Sequence, residues 1–343
     1  MAPRLRNALL LLLKAGLAVS VFVFLFRSQQ IKLDQLLAEL ANLRVATFAP
    51  WIALAVAVKL VGIFGNAWRW QFLLRGQDLQ LAYPVLVRSY FVGRFFGIVT
   101  PGTLGLDGFR LYDSIRLTRK PVACAAVIGV DKLVGFVSLL SVVLLVFPFG
   151  WSLLPLASPS RALWTFAALA LAACCAFAVL LYPAWTGPLA RLLPGGRLRS
   201  FAEKVLSAVT AYSGKARLLL FAVLLGLLGH LTTALMYCCI LKALLVEADL
   251  QPDLGTVLLV ALLMTCATLV LPTLGGEGVR EGVFVGLLGS QLRNESAFLV
   301  GHLGFWIEKA ILGMPGALIY LMRRDEYRAV MAEKYTLDRE GSD

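Results

Sequence analysis

The sequence predicts an all-α polytopic membrane protein, with six full spans plus two re-entrant helical hairpins arranged as an inverted-topology repeat. Three observations predict it. Hydrophobic residues make up 59% of the 343 and charged residues only 15%, with a mean hydropathy of +0.82, more apolar surface than a soluble domain can hide. Several stretches approach or exceed the roughly 20 apolar residues that a bilayer span needs. A charged, glycine-rich phrase, L-G-x-acid-G-x-R, is written twice, as LGLDGFR (Leu104 to Arg110) and LGGEGVR (Leu274 to Arg280), each after a proline.

The spans are Leu9 to Phe26, Phe48 to Leu74, Val122 to Phe149, Ala162 to Tyr182, Leu218 to Leu245 and Ala297 to Met322. The first is too long for the apolar core of a signal peptide and no small-residue cleavage site follows it, so it reads as a retained span. Basic residues set the orientation. Arg4 and Arg6 precede the first span, Arg191, Arg197, Arg199, Lys204, Lys215 and Arg217 follow the fourth, and Arg323, Arg324, Arg328, Lys334 and Arg339 follow the sixth. The loop after the third span has only Arg161, and the VEADLQPD turn after the fifth has no base. Both termini are therefore expected in the cytoplasm, in an inner (plasma) membrane. The segment between spans one and two, IKLDQLLAELANLR, falls outside and reads as an amphipathic helix on the membrane surface.

Two apolar segments remain, about Tyr83 to Arg119 and about Leu254 to Leu292. Each breaks at a Pro/Gly turn, TPGTLG or LPTLGG, and resumes as a short helix. Broken backbone is tolerated at membrane depth where it is buried in protein or lines a wet cavity. These are the two hairpins, one entering from each side. Each precedes a span carrying an acid and a lysine side by side, Asp131 and Lys132 in the first case, Glu308 and Lys309 in the second. The expected organisation is a single transmembrane domain over 1–343. It divides into the first span and surface helix (1–46), repeat 1 (47–150), span four and a cytoplasmic linker (151–216), repeat 2 (217–322) and a cytoplasmic tail (323–343).

Secondary transporters use this inverted-repeat plan, with interrupted helices meeting near the midplane. The returning helices point positive dipole ends at the meeting place. The candidate substrate-binding residues are Arg94, Arg110, Arg280, Gly105, Gly275 and Gly276, expected to bring Arg110 and Arg280 together in one central cavity. The candidate coupling or charge-balancing residues are Asp107, Glu277, Asp131, Lys132, Glu308 and Lys309. Asp107 with Arg110, and Glu277 with Arg280, also fit local i,i+3 capping pairs, but ionisable groups at membrane depth usually mark a pathway. Arg88 either faces the cavity or snorkels to the surface. His230 and His302 read as packed, hydrogen-bonded histidines. Lys14, Lys59 and Lys242 read as interfacial snorkellers, and Asn66 and Arg69 in GNAWRW as part of an aromatic belt.

The net charge of +12 comes from bases spread over inter-span segments, which favours anionic lipid over nucleic acid as the partner. The six cysteines (Cys124, Cys174, Cys175, Cys238, Cys239, Cys266) lie in apolar stretches without a CxxC pair, so neither a disulfide framework nor a metal site is expected. No cofactor is expected, and no nucleotide-binding or catalytic-triad pattern occurs. Small-residue faces such as Gly226 and Gly229 permit homo-oligomerisation.

The R-x5-R-x-x-G run from Arg88 to Gly97, TPGTLGLDGFR, the later LPTLGGEGVREG and the overall length resemble the lysylphosphatidylglycerol synthase transmembrane family, also called flippase-like domain proteins, over about Leu10 to Met322. In two-domain members of that family, this part is assigned to moving aminoacylated phosphatidylglycerol to the outer leaflet, and a cytosolic domain makes that lipid. The chain ends about twenty residues after the last span, so the synthase domain is expected to be absent. The resemblance implies a non-enzymatic lipid translocase acting on a phospholipid or polyprenyl-phosphate lipid, with any lipid-synthesising enzyme a separate chain. The alternative is an integral membrane transferase acting on a lipid-linked or polyprenyl-phosphate substrate.

Overall fold

The computed structural model describes residues 31–100, 104–151, 158–181, 196–244, 252–271, 273, 276–289 and 291–323, with 20, 23 and 27. Apart from Ser20 and Val23, which are helical, the expected first span lies outside the described residues, as do Gly275, most of VEADLQPD and the tail beyond Arg323. Among the described residues every regular element is helical.

A short helix α1 (Leu33–Ala41) leads into α2 (Val45–Gly76). The first broken segment is α3 (Tyr83–Val99) and α4 (Leu104–Thr118), followed by the long α5 (Pro121–Gly150) and α6 (Pro159–Leu181). After α7 (Arg197–Val209) and the long α8 (Ala216–Leu244) comes the second broken segment, α9 (Leu254–Val270) and α10 (Val279–Leu288). The last long helix is α11 (Asn294–Trp306), a π turn (Ile307–Ile311) and α12 (Leu312–Met322). Prolines sit in the first turns of α3 and α5, where a missing N–H costs nothing. Asp253 caps α9, its Oδ1 accepting from the Thr256 amide at 2.8 Å.

Among the described residues, five helices are long and apolar enough to cross a membrane: Val45–Gly76, Pro121–Gly150, Pro159–Ala176, Ala216–Leu244 and Asn294–Met322. They coincide with spans two to six of the sequence reading. The expected surface helix is also present as α1. It docks on the start of α11, where Ser296 Oγ donates to Glu39 Oε2 at 3.0 Å and Arg293 Nε lies 3.4 Å from Glu39 Oε1. Leu33 and Leu37 face outward on its other side. The basic linker caps the far end of α2. Tyr212 Oη donates to the Leu73 carbonyl and Lys215 Nζ to the Gly76 carbonyl, both at 2.6 Å, satisfying carbonyls that a helix C-terminus leaves open.

The centre of the molecule is the pairing of α2 with α8. Gly62 and Gly229 let these helices approach: a Cβ at Gly62 would run into Thr232, and one at Gly229 would lie 2.8 Å from Asn66 Nδ2. Around this pair the broken segments pack across halves, α3 along α12 and α9 along α5. Each crossing is again made on glycine. A Cβ at Gly316 would meet the Phe91 backbone, with its carbonyl carbon 2.6 Å away, and one at Gly255 would lie 2.7 Å from the Phe149 carbonyl carbon. Gly255→Val should therefore destabilise the protein by about 1–3 kcal/mol, read as a lower unfolding temperature in detergent. An unchanged temperature would show that α9 and α5 do not need this approach.

Candidate functional site: two buried ion clusters

Asp131 lies on α5, 2% exposed, and grips two guanidinium groups. Its Oδ1 accepts from Arg69 Nε on α2 at 2.7 Å, and its Oδ2 from Arg110 Nη1 on α4 at 2.9 Å. Arg110, also 2% exposed, lies over the Trp70 ring at 4.5 Å and the Tyr90 ring at 5.5 Å, a cation–π cradle that holds the charge in an apolar setting. Its Nε and Nη2 have no hydrogen-bond partner among the described residues. Lys132, the next residue along α5, points elsewhere and pairs with Asp107, keeping 46% of its side chain exposed.

The second cluster is built on the π turn, whose wider hydrogen-bond register interrupts the helix and is common at functional positions. Glu308 pairs with Lys59 Nζ from α2 and, at 2.8 Å, with Arg280 Nη2 from α10. Arg280 Nη1 donates to Tyr237 Oη at 2.8 Å, and Lys59 Nζ to Thr233 Oγ1 at 2.6 Å, both on α8. Arg94 Nη2 on α3 donates to the Glu308 carbonyl at 3.0 Å, and Lys309 Nζ to the Gly97 carbonyl at 3.0 Å.

The repeated phrase thus delivers the same arrangement twice: an arginine after each break meets the acid of the following long helix, and α2 contributes one cation to each meeting. Lys59 and Arg69 are ten positions apart, about 15 Å along a helix. Arg110 and Arg280, expected together in one cavity, each sit on a carboxylate of their own. The clusters form one belt through Arg94, because Tyr90 lies in the fields of Arg69, Arg94 and Arg110, and Lys59 in those of Arg94 and Arg280.

The local pairings differ from expectation in several places. Asp107 and Arg110 are 3.5 Å apart within α4, as the i,i+3 spacing predicts, but Glu277 precedes α10 and Arg280 turns to Glu308 and Tyr237. Arg110 is the seventh residue of α4, nearly two turns from its start. The helix N-termini are occupied by their own side chains: Glu281 Oε2 accepts the Gly278 amide at 2.8 Å, and Thr100 Oγ1 the Gly105 amide at 2.9 Å. Gly105 and Gly276 shape the backbone. A Cβ at Gly105 would lie 2.5 Å from the Phe96 carbonyl carbon, preventing α3 and α4 from closing. Gly276 has φ +85°, and a Cβ there would lie 3.0 Å from Arg280 Nε.

Lys59 and Arg69, read from the sequence as a snorkeller and part of an aromatic belt, are buried members of the clusters. The signal for them was available: two acids on spans require cations on other spans. His230 is packed and bonded as expected, its Nε2 3.0 Å from the Gly135 carbonyl. Glu281, fully buried against His302, belongs to the LGGEGVREG run but was not singled out.

Asp131→Leu should cost about 3–5 kcal/mol of stability, because it strands two buried guanidinium groups, measured by thermal unfolding in detergent. Adding Arg69→Leu should cost less than the sum of the single changes; simple additivity would show that the two side chains are not coupled.

A family model described as the lysylphosphatidylglycerol synthase TM region matches residues 12–305. No curated protein matches the chain.

Proposed function

The chain belongs to the lysylphosphatidylglycerol synthase TM family, and from that premise we propose that it moves a phosphate-bearing lipid headgroup between the leaflets of the inner membrane, the tails staying in the bilayer. One observation carries the reading. Within the belt, seven cationic side chains (Lys59, Arg69, Arg94, Arg110, Lys132, Arg280 and Lys309) face five carboxylates (Asp107, Asp131, Glu277, Glu281 and Glu308), and Arg110 holds two buried N–H donors without acceptors. A surplus of positive charge around a buried arginine with open donors is the complement of a phosphate group.

In this reading Asp131 and Glu308 stand in for the missing anion. Each holds two cations in place and releases them to the arriving phosphate, so the charges are never left unpaired in apolar surroundings. The two broken segments act as re-entrant hairpins of an inverted repeat, with both termini cytoplasmic and six spans once the N-terminal apolar stretch is included. The crossed packing of α3 on α12 and α9 on α5 supports that plan, since it lets one half rock against the other and open the belt to each side in turn. Both acids already hold two cations each, which favours translocation over metal-dependent transfer. The substrate is a phospholipid or polyprenyl phosphate, and the enzyme that makes it a separate chain.

Reconstituted vesicles carrying a fluorescent short-chain phosphatidylglycerol, with the outer leaflet quenched chemically, test this directly. Arg110→Gln and Arg280→Gln should each slow leaflet exchange about tenfold or more, the loss of one charge-assisted hydrogen bond, while circular dichroism shows the helices intact. Unchanged exchange in both variants would remove the arginines from the transport path and the proposal with them.

A further inference from the structure

Beside the second cluster, and shared with the belt only through Glu281, lies a chain of three side chains. Trp306 Nε1 donates to His302 Nε2 at 2.9 Å. An indole nitrogen is only ever a donor, so His302 Nε2 carries a lone pair and the ring's single hydrogen is on Nδ1. That nitrogen faces Glu281 Oε1 at 3.2 Å. Glu281 is fully buried, and its other oxygen accepts the Gly278 amide at 2.8 Å. The imidazole lies within 17° of the planes of both Phe298 and Phe305, which holds the plane of the ring, and the two hydrogen bonds distinguish its nitrogens. The other histidine has the opposite arrangement. His230 Nε2 meets the Gly135 carbonyl, an acceptor only, so there the hydrogen is on Nε2.

We infer that Glu281, His302 and Trp306 form a proton-binding site, in which a proton arriving at His302 Nε2 displaces the Trp306 indole and converts the Glu281 contact into an ion pair. The proton comes from water and occupies the Nε2 lone pair; the only bond broken is the hydrogen bond from Trp306. Neither side chain is packed shut by the protein itself, since His302 keeps 31% of its side chain and Trp306 51% of its surface uncovered by neighbouring residues. Glu277, ahead of α10, lies in the field of His302 together with those of Glu281, Arg280 and Lys309, and Tyr237 on α8 lies in those of Arg280, Glu308 and Glu281. At the start of α11, away from the ring, Glu295 accepts from the Lys32 backbone amide and lies in the field of Glu39 on α1.

The site has a mechanical outlet. Glu281 holds the Gly278 amide, and Arg280 is two residues further on. Proton uptake therefore changes the hold on the first turn of the helix that presents Arg280 to Glu308. The use of this link in moving lipid rests on the translocase reading; the proton site does not.

The full chain, labelled with 15N-histidine and 15N-tryptophan in lipid nanodiscs, is titrated by NMR, with His230→Gln leaving His302 as its one imidazole. The expected result is an Nδ1–H neutral ring at alkaline pH that becomes doubly protonated on acidification, with the Trp306 indole signal moving at the same midpoint. Trp306→Phe, at an exposed position, should shift that midpoint to higher pH, because the neutral ring loses its donor. Glu281→Gln should shift it to lower pH by about one unit or more, because the charged ring loses its carboxylate. An Nε2–H ring at alkaline pH, or a midpoint that ignores Trp306→Phe, overturns the inference. Lipid movement is not part of this readout, so that failure leaves the translocase reading standing, and failure of vesicle transport leaves the proton site standing.

Discussion

A charge taken out of water must find an opposite charge, and this fold is organised around that demand. Asp131 cannot be buried without Arg69 and Arg110, nor Glu308 without Lys59 and Arg280. Each acid is on a long helix, and its partners come from α2 and from the short helix that follows a break. The pairings therefore fasten both broken segments to the central α2–α8 pair. The same pairings explain why the breaks are needed: a continuous span would carry Arg110 or Arg280 past its acid.

Glycine supplies the geometry that the charges require. Gly62 and Gly229 bring α2 against α8, while Gly316 and Gly255 seat the broken segments on the opposite halves. Gly105 lets α3 and α4 close on each other, and Gly276 gives Arg280 room after the second break. The two clusters are similar without being identical. Asp131 lies on regular helix whereas Glu308 lies on a π turn, and the interval from arginine to acid is seven residues longer in the second half, 28 positions against 21. The π turn offers the Glu308 carbonyl to Arg94, so the second cluster recruits a cation from the first broken segment and the two halves become one electrostatic unit.

Much of this was legible in the sequence, and the limits are physical. Spans two to six follow from hydropathy because a bilayer demands a fixed length of apolar chain, and the two breaks follow from prolines and glycines. The acids and the phrase arginines stand out because charge is rare in such a chain. Their partners do not stand out, since Lys59 and Arg69 sit in a span where snorkelling or an aromatic belt explains a base equally well, and only the ion pairs that α2 makes with Asp131 and Glu308 select between these. The orientation of adjacent residues was readable: Lys132 and Lys309 point away from the neighbouring acids' partners, as consecutive helix positions must. That Arg110 and Arg280 take separate carboxylates was not readable, because it depends on how far apart the two breaks lie along α2.

The central claim is that a lipid phosphate takes the place that the carboxylates hold beside the arginines. The most direct measurement is a structure of the protein in nanodiscs rich in phosphatidylglycerol. The account predicts a lipid phosphate within hydrogen-bonding distance of Arg110 Nε and Nη2, or of Arg280, with Asp131 or Glu308 turned away from the guanidinium it had held. Lipid phosphates confined to the two headgroup layers, with both carboxylates still gripping their arginines, would contradict it.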